Sequence, residues 1–443
     1  MKFKNSMHTY QKKVVRHLIE NPFSGVFVDM GMGKTASVLY AFKKLKSKNK
    51  KARMLIIAPK FVALNTWSDE IKKWEDLNDL TYTIAVGNED KRLDAFSCGS
   101  DIVIINRENT VWMVKSVSMK SFTVLCMDEL SSFKNPDSQR FKGLSKILDR
   151  FEYRWGLTGT PLPNGYLDIW SQMYLIDPNI LGFNFYSFQN RYFHKQSEYT
   201  WVLLKDSEKK INDKLKQNCI SLSVSDWLEM PDKIENHISI GMDSKGIKTY
   251  LQALEELVYI STEKTIDLDT NLVIKLQQLA SGFIYKDDNL FFDIIHTSML
   301  DKLEDLLDYI PGNTLLFYNF KAEKEMLKYR FKFARELLSS HDFEDWNEGK
   351  IRMAVCHPAS VGYGLNLQSG GNNIIWYGYN WSSDIVLQAN ARLYRQGQSK
   401  AVVINYLGVK DTIHERMKKR VGEKISKQEI LIEAVKYCKD MIK

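Results

Sequence analysis

The stretch "FVDMGMGKTASVLYAF", residues 27–42, starts apolar, passes through Gly31, Met32 and Gly33 to Lys34 and Thr35, and continues in a helix-like pattern. A strand ending at Val28 or Asp29, a glycine-rich turn and a helix opening at a lysine make the geometry of a phosphate-binding loop. Gly31 and Gly33 let the backbone turn tightly and bring its N–H groups against phosphate oxygens, and the helix N-terminus adds its positive dipole end. Lys34 would then reach the β and γ phosphates, and the Thr35 hydroxyl would sit on magnesium. The general motif asks for a glycine five residues before Gly33. Val28 stands there, so only the second half is met. A glycine-rich turn that caps a helix and holds no ligand would read the same way locally.

A second site must agree if Lys34 serves a nucleoside triphosphate. "SFTVLCMDELSSFKN", residues 121–135, supplies it, with an apolar run ending in Asp128 and Glu129. Two carboxylates at the carboxyl edge of a sheet lie where ligands of α/β folds bind. Asp128 would hold magnesium, directly or through water, and Glu129 would orient and polarise the attacking water. An acidic helix N-terminus after a strand is the plainer alternative.

Both runs belong to a longer alternation. "GVFVD", "ARMLIIAP", "YTIAV", "DIVIIN", "TVLCMDE" and "YRWGLTGT" are short, aliphatic and bounded by turn residues, as buried parallel strands are. Helix candidates separate them; in "VALNTWSDEIKKW" Trp67, Ile71 and Trp74 share one face. A second series runs "TLLFYNF", a helical "KAEKEMLKYRFKFARELL", "IRMAVCHP", "NNIIWYG", a helix around "SSDIVLQANARLYRQ", and "AVVINYLG". The expectation is an α/β protein with two doubly wound parallel sheets in tandem. A helical, aromatic-rich stretch separates them over about 166–300, with a crossing near Pro231. That places a first domain at 1–230, with a helical extension at about 166–230, and a second at 231–443, with a helical insertion at about 245–300.

Composition bounds the class. At 443 residues and 44% hydrophobic, the chain can bury two or three ordinary cores. Its five cysteines are scattered, without CxxC pairs or histidines at metal spacing, which argues against a disulfide framework or zinc site and for a reducing, intracellular setting. No leader or bilayer-spanning run is evident, so a soluble protein without a membrane partner is expected. A net charge of +8 favours polyanions without deciding for them.

Further segments come in a telling order. "HTYQKK" precedes the loop, "LIIAPKFVALNTWSDEIKKW" follows it, and "IINRE" precedes the carboxylates. "GLTGTPLPN" comes after them, and the second half holds "NTLLFYNF", the "GLNL" of Gly364–Leu367, and "LQANARLYRQGQ". The series resembles the motor core of superfamily two helicases, and among these the Swi/Snf-related ATPases, over about residues 8–415. The resemblance implies two RecA-like domains that bind ATP and magnesium in a cleft between them and move along DNA.

It also implies roles at matching positions. Gln11 would read the adenine edge with Tyr10 near the base, and Gly364 and Gln388 would join the nucleotide contacts. Thr158 and Thr160 would couple hydrolysis to nucleic-acid grip, and Asn65, Asn106, Arg107, Asn319 and Asn366 would line the track as phosphate contacts. Each of these polar residues would also serve as a cap or turn former. Arg392 and Arg395 resemble the arginines that reach the γ-phosphate; with Gln388 their spacing of i, i+4, i+7 puts all three on one face of a helix.

Departures from the family pattern stand beside the matches. "DELS" replaces "DEGH" or "DEAH", so Ser131 stands where a histidine is common. The acidic pair before the glycines is reduced to Asp29, and an arginine-rich block before the crossing reads "ISLSVSDW". Length leaves no room for chromatin-reading appendages, which favours a compact monomeric member in the cytoplasm of a bacterium or a phage-infected cell. The basic run at 43–53 reads as a solvated helix end, and the aromatic run at 181–194 as the core of a helical subdomain.

The expected function is an ATP-dependent DNA translocase. A strand-separating helicase working with replication or recombination proteins is the alternative, and a nucleotide-dependent DNA-binding clamp the third reading.

Overall fold

Nearly continuous aliphatic strands can be buried on both faces only where helices cover both sides of a parallel sheet, and the chain does this twice. The computed structural model describes residues 2–422 except 160, 163–164, 197–200, 223–226, 228–229, 253–269, 287–290 and 362–365. It divides into two compact units, Met1–Glu229 and Met230–Lys443.

The first unit carries β1 (Phe23–Val28), β2 (Met54–Ala58), β3 (Tyr82–Ala85), β4 (Ile102–Asn106), β5 (Val124–Asp128), β6 (Tyr153–Thr158) and β9 (Cys219–Leu222). They form one sheet in the order β3-β4-β2-β5-β6-β1-β9, parallel throughout. Every residue of β2, β4 and β5 is buried, whereas the edge strand β3 is mostly half-buried. Because all seven strands run the same way, the segments after Val28, Asp128 and Thr158 emerge at one edge. β6 lies between the strands that carry the glycine loop and the carboxylates.

The second unit holds β10 (Lys233–Ile240), β13 (Thr314–Phe317), β14 (Ala334–Glu336), β15 (Met353–Cys356), β16 (Asn373–Tyr377) and β17 (Val402–Val409), in the order β10-β17-β16-β13-β15-β14. This sheet is parallel too. Two small antiparallel pairs complete the described strands: β7 (Phe193–Lys195) with β8 (Trp201–Leu203), and β11 (Phe283–Tyr285) with β12 (Phe292–Ile294). The fold is α/β, with two tandem RecA-like doubly wound sheets. Among the described residues no helix is long and apolar enough to cross a membrane.

All ten strands named from the sequence are present. β9, β10 and β14 were not anticipated. "CISL" is too short to stand out after the polar helix Ser207–Asn218, yet it pairs with β1. β14 lies inside the run expected to be one helix, which stops at Arg330, and a turn near Phe331 restarts the chain as strand. Between the sheets, the described parts of 166–300 include helices Ile169–Ile176, Phe185–Tyr192, Thr270–Ala280 and Ser298–Tyr309 alongside the two hairpins. In the aromatic run Phe188 and Tyr192 are buried, while Phe183 and Tyr186 are 68% exposed.

Candidate functional site

The loop after β1 is shaped by its glycines. Gly31 and Gly33 have φ of 81° and 71°, in the left-handed region that favours glycine, and the helix Lys34–Lys48 starts immediately after. A Cβ on Gly33 would be strained by φ and would lie 2.4 Å from the Gln11 amide nitrogen, so a side chain there would displace the Gln11 amide. The Lys34 ammonium donates to the carbonyls of Val28 (2.5 Å) and Asp29 (3.1 Å), which draws it back over the end of β1. Thr35, one residue into the helix, is half-buried.

Gln11 braces this loop. Its Nε2 donates to the Met32 carbonyl (3.3 Å), and its Oε1 accepts from the His8 N–H (2.9 Å), closing a capping box at the start of the helix Thr9–Glu20. The amide expected to read adenine therefore spans the loop and a helix N-terminus. Tyr10 is only 1% exposed and stacks on His8 at 5.2 Å, so its ring supports this region from within and offers no open face to a base.

At the end of β5, Asp128 is 9% exposed. Its Oδ2 accepts from the Trp67 indole N–H (3.0 Å) and its Oδ1 from the Glu129 N–H (3.1 Å). Burial pushes the Asp128 carboxyl up, and the Lys34 ammonium works against that shift. Lys34 and Asp128, from two strands separated by β6, thus act on one electrostatic site. Glu129 follows in a left-handed conformation, φ 54°, before a short turn in which Ser131 is buried. A carboxylate and a threonine hydroxyl are hard oxygen donors that suit magnesium, and the glycine cradle beside a lysine suits phosphate. The residues present fit both groups. Magnesium, when bound, neutralises charge that builds on phosphate oxygens.

Thr158 ends β6 and is fully buried. The next turn is fastened from below, where the Gln172 amide donates to the carbonyls of Pro161 (2.7 Å) and Asp168 (2.8 Å). Thr160 and Gly364 lie outside the described residues.

The expected track residues are more engaged than their spacing suggests. Asn65 donates to Phe61 O (3.1 Å). Asn106 is 5% exposed, donates to Glu108 (2.8 Å) and accepts from Asn109 (2.6 Å). Arg107 pairs with Glu108 at 3.1 Å. Asn319 turns inward, donating to Tyr377 O and Tyr379 O and accepting from Asn380 (2.8 Å). Asn366 is exposed, and its carbonyl accepts from Asn347. Asn65, Asn106 and Arg107 follow the carboxyl ends of β2 and β4, the same edge as the glycine loop.

One expectation needs correction. Gln388, Arg392 and Arg395 do not share a helical face, because the helix Ser383–Asn390 ends before either arginine. Asn390 is fastened to Trp376 (2.9 Å) and Tyr406 (3.0 Å), and the chain leaves through tight turns that run to Gly397 at φ 95°. Arg392 is 6% exposed and its Nε donates back to Gln388 O (3.1 Å), whereas Arg395 is half-buried. Leu387, in the same helix, is 51% exposed.

The SNF2-related domain matches residues 10–286. Protein p41 of Acyrthosiphon pisum secondary endosymbiont phage 1 is 31% identical, over 96% of this chain and 98% of that protein. An uncharacterized ATP-dependent helicase of Mycoplasma genitalium is 26% identical over 99% of the chain, and the ISWI chromatin-remodeling complex ATPase ISW1 of Saccharomyces cerevisiae 24% over 96%. The chain spans only 43% and 40% of those two proteins. Among solved structures, the Sulfolobus solfataricus SWI2/SNF2 ATPase core in complex with dsDNA matches 94% of the chain at 21% identity, with a TM-score of 0.46.

Proposed function

The chain belongs to the SNF2-related domain family, and from that premise we propose that it is a DNA-dependent ATPase that translocates along DNA. The observation that carries this reading is the pairing of two strand ends: Lys34 in a left-handed glycine cradle after β1, and Asp128 electrostatically coupled to it after β5. The loop N–H groups and Lys34 bind the β and γ phosphates, Thr35 and Asp128 hold magnesium, and Glu129 orients the attacking water. Arg392 and Arg395 act on the γ-phosphate in the catalytic state. Gln11, Gly364 and Gln388 belong to the nucleotide contacts, Gln11 by holding the loop.

DNA is held chiefly through phosphates, near Asn65, Asn106, Arg107, Thr158, Thr160 and Asn366, and so without strong sequence preference. The protein works as a monomer in the cytoplasm of a bacterium or an infected host cell.

The test is ATP turnover with single-stranded, duplex and forked DNA and with RNA, run beside displacement of a third strand from a DNA triplex. Lys34→Ala serves as the inactive reference. Expected are duplex-stimulated hydrolysis and ATP-dependent triplex displacement. Hydrolysis indifferent to DNA would overturn the reading. Unwinding of the forked duplex would move it to a strand-separating helicase.

A further inference from the structure

Trp67 is fully buried, and its indole N–H, the side chain's one donor, goes to a carboxylate 61 residues away in sequence. Burial alone does not produce such a partner. Trp155, equally buried in the same unit, finds none for its indole N–H among the described residues. The acceptor is Oδ2 of Asp128, so the bond is charge-assisted when that group is ionised and stronger than one between neutral groups. Oδ1 is held by the Glu129 N–H (3.1 Å). Each oxygen thus accepts one bond within the protein. An ionised carboxylate has about four acceptor positions, so both oxygens keep capacity for a further partner.

The backbone ahead of Trp67 is also built for this contact. Val62–Thr66 form one wide turn with i→i+5 bonding before the helix Trp67–Lys73 begins. Such a turn inserts a residue and rotates all that follows, relative to an uninterrupted helix, by roughly 100°. The widened turn is pinned by the Asn65 amide on Phe61 O and by the Ser68 hydroxyl on Asn65 O (2.8 Å). A large apolar side chain would fill the space without an N–H. The indole adds a donor at the end of β5.

We infer that Trp67 is a positioning residue for magnesium binding: its indole N–H fixes the Asp128 carboxylate in the orientation in which it meets the ion. This rests on the assignment of Asp128 as a magnesium ligand. Groups that orient a ligand in this way contribute about 10–100-fold to metal affinity.

The test uses the full chain and two replacements, Trp67→Phe and Trp67 exchanged for benzothienylalanine, whose sulfur takes the place of the N–H in a ring of nearly the same shape. Affinity for a non-hydrolysable ATP analogue is measured with Mg2+ and in EDTA, and the ratio of the two reports the metal's contribution. Both replacements should lower that ratio by about tenfold and leave the EDTA affinity unchanged. Asp128→Asn is the reference. If it lowers the ratio while the benzothienylalanine protein matches the parent, Trp67 only packs and the inference falls. If Asp128→Asn leaves the ratio intact, the magnesium assignment falls, and the inference with it. A Trp67→Phe chain that fails to fold leaves the decision with the isosteric replacement.

Discussion

Glu129 occupies a backbone conformation that costs a non-glycine residue energy, and it sits next to the buried carboxylate proposed to hold magnesium. Glu129→Gln keeps the shape and removes the charge that polarises water, so ATP should still bind while DNA-stimulated turnover falls by roughly a hundredfold or more. Equal loss of binding and turnover, by equilibrium binding and steady-state assay, would make Glu129 structural. The two arginines should separate. Arg395→Ala should lower turnover by roughly a thousandfold with little change in ATP affinity. Arg392→Ala should lower turnover and also thermal stability, because the Arg392 guanidinium braces the carbonyl of Gln388 at a helix end. A melting temperature unchanged in Arg392→Ala would argue against that bracing. The placement of Lys34, Asp128 and Glu129 at strand ends was legible in the sequence because each lies within one contiguous motif. The Trp67–Asp128 bond was not, since spacing within one segment carries no information about a partner 61 residues away.

Three described helices, Thr9–Glu20, Lys321–Arg330 and Ser340–Asn347, start on a side chain that reaches backward, and one of these side chains titrates. Glu323, fully buried in the first turn of Lys321–Arg330, accepts from the N–H groups of Asn319 (2.7 Å) and Phe320 (3.0 Å). Burial pushes its carboxyl from 4.5 up to about 7, against the pull of those N–H bonds and of Ser281. A carboxyl raised in the folded state keeps its proton after the unfolded chain has lost it, so folding stability falls as pH rises from about 4.5 to about 7. Nearby His414, held down to about 3 by burial and by His296, stays neutral across that window. Glu323→Gln cannot ionise and retains an acceptor oxygen. It should match the parent at pH 5 and be more stable at pH 8, by ~3 kcal/mol at most. Denaturant unfolding at both pH values checks this; an equal offset at the two would mean packing. The short elements were the ones the sequence hid: β14 has three residues inside a helical pattern, and the helix before Arg392 stops where Asn390 is tied to Trp376 and Tyr406.

At the scale of the molecule, a net charge of +8 and the proposed phosphate-directed contacts would make DNA affinity a matter of released counterions. The logarithm of affinity should fall linearly with the logarithm of salt concentration and vary little with sequence. Arg107 already has a partner in Glu108, so Arg107→Ala should reduce the slope by about one unit or less, and Glu108→Gln should tighten binding. An Arg107→Ala slope equal to the parent's would remove Arg107 from the track. The two-sheet architecture could be read in advance because each buried strand is its own apolar run. The seventh strand of the first sheet could not, because four residues gain strand character only from the neighbour they join.

That neighbour is β1, and the join has a mechanical meaning. Gly25–Val28 pair in parallel with Cys219–Leu222, and the Asp29 N–H adds a bond to the Leu222 carbonyl, beside the glycine loop. A force directed along β9 runs along the strand. It loads the ladder in shear, where the bonds share the force, and does not peel them one at a time. Main-chain bonds would carry that strain to the strand from which the glycine loop springs, so a load arriving at β9 would be felt at the loop with little dependence on which side chains occupy the joint.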